Sequence, residues 1–301
     1  LSIIAVYSFA TLRLFPIFQQ IYMAIAGVKS AQSRIKLIYE DLKDKNYETT
    51  ISSKNQKEII NKIEFKNLNF SYGERKFFLK DISFDIESGK IFGITGYSGS
   101  GKSTLVDIIL GLLKIQSGFV KVDDNLINIS EYENYQNNFS YVPQNIFIFE
   151  DTIKNNLTFS FNKKTIDQRS LDESIKISQL NDFILKQNDK IDTLIHDKGL
   201  SISGGQRQRM GIARAIYSKK KIIILDEATN SLDGNTEHNV LSGLKENLNN
   251  KIIIIVSHRK NTLKFCDKIA FMNDGKIEDI DDFESLFNSN ENFKKIFYKD
   301  L

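Results

Sequence analysis

The chain has 301 residues, 41% hydrophobic and 26% charged, enough for one large or two ordinary globular domains and too apolar for a disordered chain. Its net charge of +3 is spread thinly over 41 basic and 38 acidic residues, without the basic patch of a nucleic-acid surface, so nucleic acid is not an expected partner. A single cysteine, Cys266, excludes an internal disulfide framework and reads as a small buried apolar residue in a reducing compartment.

The sequence opens on Leu1 rather than methionine and is expected to be a piece of a longer protein. Leu1 to Leu12 (LSIIAVYSFATL) is almost wholly apolar, yet shorter than the ~20 residues a membrane helix takes. No basic segment stands before it in the sequence and no small-residue cleavage site follows, so a secretory signal is not the expectation. Arg13, Pro16, Gln19 and Gln20 come next. From Ile17 to Leu42, apolar residues recur at helical spacing (Ile21, Ile25, Val28, Ile35, Ile38) while charges accumulate. Two readings stand: the end of a membrane helix running out into water, or an N-terminal helix packed on a globular domain. Residues 46–61 are polar and read as a linker.

From Lys62 the pattern changes. The stretch Lys62 to Phe70 alternates with its apolar residues on one face, and "SYGERKFFLKDISFDIESGK" reads as turn, strand, strand, turn. A strand over Lys90–Thr95 then leads into "GYSGSGKS", and a helix over Thr104–Leu113 leads out. Lys221–Leu225 and Lys251–Val256 are continuous β-branched runs, as expected of parallel strands covered on both faces. Strands alternating with helices make this an α/β domain.

Gly96 to Ser103 fits the pattern Gly-x4-Gly-Lys-Ser. Gly96, Gly99 and Gly101 let the backbone curl until its amides, those of Ser98 and Ser100 included, face phosphate oxygens. The helix that follows, through Thr104, adds its positive end. Lys102 is expected to reach the β- and γ-phosphates, and Ser103 to offer a hydroxyl to Mg²⁺. "KKKIIILDEATNSLD" ends a buried strand on Asp226, placed to hold Mg²⁺, and Glu227, placed to polarise an attacking water as general base. In "SISGGQRQRMGIARAI", Ser203, Gly204, Gly205 and Gln206 stand before a run with helical periodicity. A hydroxyl and two bare amides at a helix start make a second anion site. One phosphate loop and two phosphate sites suggest two copies, head to tail, sandwiching nucleotide.

These motifs stand in the order found in the nucleotide-binding domain of ABC transporters, which residues 62 to about 282 resemble. The resemblance implies a P-loop NTPase of the ABC ATPase kind, with an antiparallel β subdomain and a helical signature subdomain, preceded by a helix from a membrane domain. It implies ATP with Mg²⁺, and a second nucleotide-binding domain, identical or different, as partner. Tyr72 in "NFSYG" then looks like the aromatic that stacks on adenine. Gln144 in "YVPQNIFIFEDTIKNNL" looks like the glutamine that contacts Mg²⁺ and the attacking water and faces the membrane domain. His258 in "IVSHR" looks like the switch histidine on the γ-phosphate, and Asp233 in "SLD" like the residue that signals across the dimer. Two departures are mild: Ile202 replaces the commoner leucine, and Asp197 stands where exporters usually carry glutamate.

The front segment gains meaning from this context. "LRLFPIFQQI…AQSRIKLIYED" is similar to the join between the last transmembrane helix of exporters and their ATPase domain. The implied division is residues 1–45 as the end of a transmembrane domain, 46–61 as linker and 62–301 as nucleotide-binding domain. The implied activity is ATP hydrolysis driving export or flipping across the cytoplasmic membrane, with the ATPase on the cytoplasmic side and lipid and membrane helices as neighbours. Within exporters, the join and "YVPQNIFIFEDTIKNNLTF" resemble flippases of lipid-linked oligosaccharides. Exporters of lipid A, peptides or drugs are alternatives, as is a soluble repair or regulatory ATPase with a peripheral helix.

Overall fold

The computed structural model describes residues 2–43, 60–73, 78–127, 132–159, 166–196, 202–247 and 250–298. The chain divides into two compact units, Leu1–Asn55 and Gln56–Leu301. Of the expected linker only Ile60 and Asn61 fall within the described residues, and Asp197 falls outside them.

The first unit is one helix, α1 (Ser2–Lys43). At 1.5 Å per residue its 42 residues run about 63 Å, roughly twice a bilayer's hydrocarbon thickness. Before Lys29 its one charged side chain is Arg13; beyond it come Arg34, Lys36 and Glu40. Among the described residues this is the helix long and apolar enough to cross a membrane, over Ile3–Glu40. The short apolar segment and the amphipathic segment of the sequence reading are therefore one continuous element. Pro16 sits inside it, where its ring removes one amide donor.

The second unit is built on two sheets. β1 (Lys62–Phe70), β2 (Leu79–Glu87), β4 (Ser117–Val122) and β5 (Asn125–Leu126) form an antiparallel sheet in the order β2-β1-β4-β5. The stretch expected to give two strands gives one, β2, because Asp81 takes a left-handed φ of 48° and absorbs the irregularity as a bulge against β1. The larger sheet has the order β10-β9-β3-β8-β7-β6. Its strands are β3 (Ile91–Gly96), β6 (Phe139–Val142), β7 (Ile222–Asp226), β8 (Ile252–Val256), β9 (Lys268–Asn273) and β10 (Lys276–Asp281). All neighbours are parallel except the β9–β10 hairpin.

The continuous apolar runs have the expected cause. Ile222, Ile224, Ile252 and Ile254 face α2 (Lys102–Ile109) and the antiparallel sheet. Ile223, Leu225, Ile253 and Ile255 face the opposite core, beneath α7 (Gly204–Tyr217) and α8 (Gly234–Glu246). With both faces covered, neither side of the strand can be polar. Phe92 stacks on Phe84 at 5.4 Å and so ties the two sheets together. α2 ends at Ile109, four residues before the expected Leu113, because Gly111 turns left-handed with φ 70°. A third core joins α4 (Ile153–Thr158), α5 (Gln168–Ile177) and α6 (Asn181–Leu185) to Met210 and Ala213 of α7. α7 thus serves two cores, since its Ile212 and Ile216 pack on the sheet side.

Candidate functional site

Four adjacent parallel strands release their chains at one edge of the large sheet. β3 leads into the glycine loop, β8 into His258, β7 into Glu227 and β6 into Gln144. The carboxyl edge of a parallel sheet is where such folds place ligands.

The loop's glycines are needed for different reasons. Gly96 has φ 152°, and a Cβ there would lie 2.1 Å from the Met272 carbonyl oxygen. Gly101, with φ 100°, is the N-cap of α2, and a Cβ would meet Leu79 at 2.6 Å. Gly99 has open space about it, so only its φ of 77° asks for glycine. Ser98 and Ser103 are exposed, whereas the Ser100 hydroxyl is buried without a hydrogen-bond partner. Lys102 donates to the carbonyls of Gly96 at 2.8 Å and Tyr97 at 2.7 Å. Burial pushes its ammonium pKa down, against the pull of Glu227 and Asp226. Tyr72 stands half exposed at the margin, its hydroxyl 3.1 Å from that of Thr104 and its ring edge-on to Phe70 and Phe78.

The acids lie opposite the loop. Tyr141 donates to Asp226 Oδ2 at 2.9 Å. Burial raises the Asp226 carboxyl pKa, and the Tyr141 bond works against that rise. Glu227 has φ 50°, uncommon outside glycine. Its amide donates to Val256 O at 3.0 Å, which holds the turn in place. On its side chain, Oε2 accepts from Gln144 at 2.9 Å and Asn230 at 3.0 Å, and Oε1 lies 3.5 Å from His258 Nδ1. Ser103, Gln144 and Asp226 present a hydroxyl, an amide and a carboxylate. Such an oxygen donor set suits a hard cation that keeps phosphate and water in its shell.

The Ser203–Gln206 group is held elsewhere. Ser203 caps α7 and accepts from Gln206 N at 3.2 Å, while Gln206 Oε1 accepts from Ser203 N at 2.9 Å. Gly204 and Gly205 lie against Ser231: a Cβ on Gly205 would approach the Ser231 carbonyl to 3.0 Å. The paired glycines thus have a packing reason besides the bare amides the sequence suggested. Asp233 caps α8, accepting from Thr236 N at 3.0 Å. Ser203, Gly204, Gly205, Ser231, Asp233 and Thr236 line an open recess of about 320 Å³ that also takes in Arg209 and Leu232.

Several residues that hold the site were not picked out from sequence. Gln208 is buried and bridges the two groups, accepting from Ser231 N at 2.7 Å and donating to Glu227 O at 3.4 Å. Its signal was a polar residue on the apolar face of α7. Arg259 donates to the carbonyls of Thr229 at 2.8 Å and Leu232 at 3.3 Å, and pairs with buried Glu237 at 3.0 Å. Glu237 also accepts from Thr229 and Thr262. Tyr141 gave no signal, since only the pairing of β6 with β7 brings it to Asp226, whereas Asn230 reaches Glu227 from three residues along the same turn. Cys266 is buried as expected, and burial pushes its thiol pKa up to about 12.

Residues 79–230 match the family model described as ABC transporter. The chain is 36% identical over 237 residues to a putative export ATP-binding/permease protein of Rickettsia bellii, covering 78% of this chain and 41% of that one. It is 34% identical over 252 residues to the ATP-dependent lipid A-core flippase of Vibrio vulnificus, covering 83% and 42%. Among solved structures, a bacterial Atm1-family ABC exporter with ATP bound superposes with a TM-score of 0.73 at 26% identity, over 80% of this chain and 42% of that one. The chain therefore spans about two fifths of the length of these relatives.

Proposed function

The chain belongs to the ABC transporter family, and on that footing we propose that it is the ATP-hydrolysing half of an exporter. In this reading it couples head-to-tail closure of two nucleotide-binding domains to export or flipping of a lipid or lipid-linked substrate. The observation that carries the proposal is the division of the site. Loop, acids, Gln144 and His258 converge at one sheet edge, while Ser203–Gln206 sit on the separate Ser231–Asp233 segment. A nucleotide seated on the loop is completed by the Ser203 group of a second domain.

Each residue then has a task. Amides from Gly96 to Thr104 and the Lys102 ammonium bind phosphate oxygens, the lysine leaving the two carbonyls it now holds. Tyr72 stacks on the base. Glu227 takes a proton from the attacking water, and Gln144 and His258 orient that water and the terminal phosphate. Mg²⁺ would be held by Ser103, Asp226 and Gln144 and would neutralise charge on the phosphates. Among the described residues no three His, Cys, Asp or Glu side chains could hold a metal alone. Asp233 carries the state of one site to the other.

The residues 1–45, 46–61 and 62–301 division belongs to the same proposal. The apolar part of α1 lies in the cytoplasmic membrane, its charged part leads into the cytoplasm, and the second unit works there. The relatives are named as export and flippase proteins, which favours this over a soluble repair or regulatory ATPase. ATPase activity measured against protein concentration tests the sandwich. Specific activity should rise with concentration; full activity in an isolated monomer would sink it.

A further inference from the structure

We infer that the C-terminal hairpin and last helix form a support that pre-shapes the phosphate loop, with Tyr97 as its positioning residue. The inference rests on the nucleotide-binding reading above and extends it to a position the loop pattern leaves unspecified and to residues beyond 270. Tyr97 is the second residue of the loop and its largest side chain. Its hydroxyl donates to the Asn292 carbonyl at 2.9 Å, and its ring stands edge-on to Phe271. Asn292 lies in the first turn of α11 (Glu291–Tyr298).

That turn is itself fixed. Asn290 accepts from Phe293 N at 2.9 Å, capping α11. Glu278 on β10 accepts from Asn292 at 3.0 Å, Asn290 at 3.3 Å and Asn273 at 3.0 Å. Phe293 is fully buried and packs edge-on against Phe271, Phe283 and Phe297. The rest of the loop leans the same way. Gly275, in the β9–β10 turn, donates to Ser100 O at 3.2 Å, and Gly96 passes so close to Met272 that no Cβ fits. Loop residues 96, 97 and 100 thus each rest on chain beyond residue 270, and the Tyr97 carbonyl is one of the two that hold Lys102.

A phosphate loop binds by converging its amides. If it is held in shape beforehand, the ligand need not order it; if it is loose, ordering is subtracted from affinity. Tyr97 should therefore set nucleotide affinity without touching the chemical step. The test uses the whole chain and adenylyl imidodiphosphate, a non-hydrolysable ATP analogue, by titration calorimetry, with ATPase kinetics alongside. Tyr97→Phe keeps the ring and removes one hydrogen bond. Its Kd should rise roughly two- to tenfold, with kcat at saturating ATP and the unfolding temperature unchanged. Glu278→Ala, an exposed change that loosens the first turn of α11, should raise Kd less. The double variant should bind no worse than Tyr97→Phe alone, because both act through the same tether. Wild-type affinity in Tyr97→Phe, additive losses in the double variant, or a fall in kcat with Kd unchanged would each overturn the support. If the unaltered chain failed to bind the analogue, the nucleotide reading would fall with it; tight binding by both chains removes only the support.

Discussion

Gln144 Nε2 donates to Glu227 Oε2 at 2.9 Å, joining the segment after β6 to the acid after β7. Asn230 donates to the same oxygen, and His258 faces the other. An amide oxygen in the place of Oε2 would keep both donors, and its NH₂ would face His258 Nδ1. Glu227→Gln is therefore close to a pure removal of the base. ATP binding should persist while turnover falls by about 10²-fold or more, with a nucleotide-bound dimer accumulating in size-exclusion chromatography. Near wild-type turnover would remove Glu227 from that role.

Lys102 is half-buried and spends its hydrogen bonds on two backbone carbonyls, so its side chain is already aimed along the loop. Lys102→Ala should abolish tight ATP binding and leave the fold intact by circular dichroism. Unchanged affinity in a calorimetric titration would refute its contact with phosphate.

Tyr141 reaches Asp226 from the neighbouring strand. Partners that orient a metal ligand are typically worth about 10-fold or more in metal affinity. Tyr141→Phe should raise the Mg²⁺ concentration giving half-maximal ATPase, and weaken Mn²⁺ binding, followed by electron paramagnetic resonance, by about that factor. An unchanged Mn²⁺ affinity would mean that Asp226 needs no such partner.

The head-to-tail sandwich predicts complementation. Chains carrying Lys102→Ala lack the loop half of a site, and chains carrying Ser203→Arg lack the signature half. Each alone should be inactive, and a mixture should recover activity, because one site per mixed pair has both halves intact. A mixture as inactive as its parts would count against the shared site.

Arg259 bonds two carbonyls in the 229–232 segment and pairs with Glu237, which is 1% exposed. Arg259→Ala leaves that carboxylate buried with only the Thr229 and Thr262 hydroxyls, and should cost about 3 kcal/mol in chemical denaturation. A loss near zero would show that the hydroxyls suffice.

The glycine loop, the Asp226–Glu227 pair, the Ser203–Gln206 stretch and the apolar strands were all legible in the residue order. Their requirements are local: a glycine φ, a helix start, a strand with two covered faces. α1 was legible as one of two readings, a membrane helix running out into water, and the structure adds that it runs unbroken from Ser2 to Lys43 through Pro16. Tertiary structure alone decided the rest. Parallel pairing of β6 with β7 sets Tyr141 against Asp226. The path of α7 brings Gln208 to the backbone of Glu227 and of Ser231. The return of residues 271–293 past the loop gives Tyr97 its partner, 195 positions away along the chain. Such contacts depend on which strands become neighbours, a choice made by burial over the whole core, and no short window of sequence contains it.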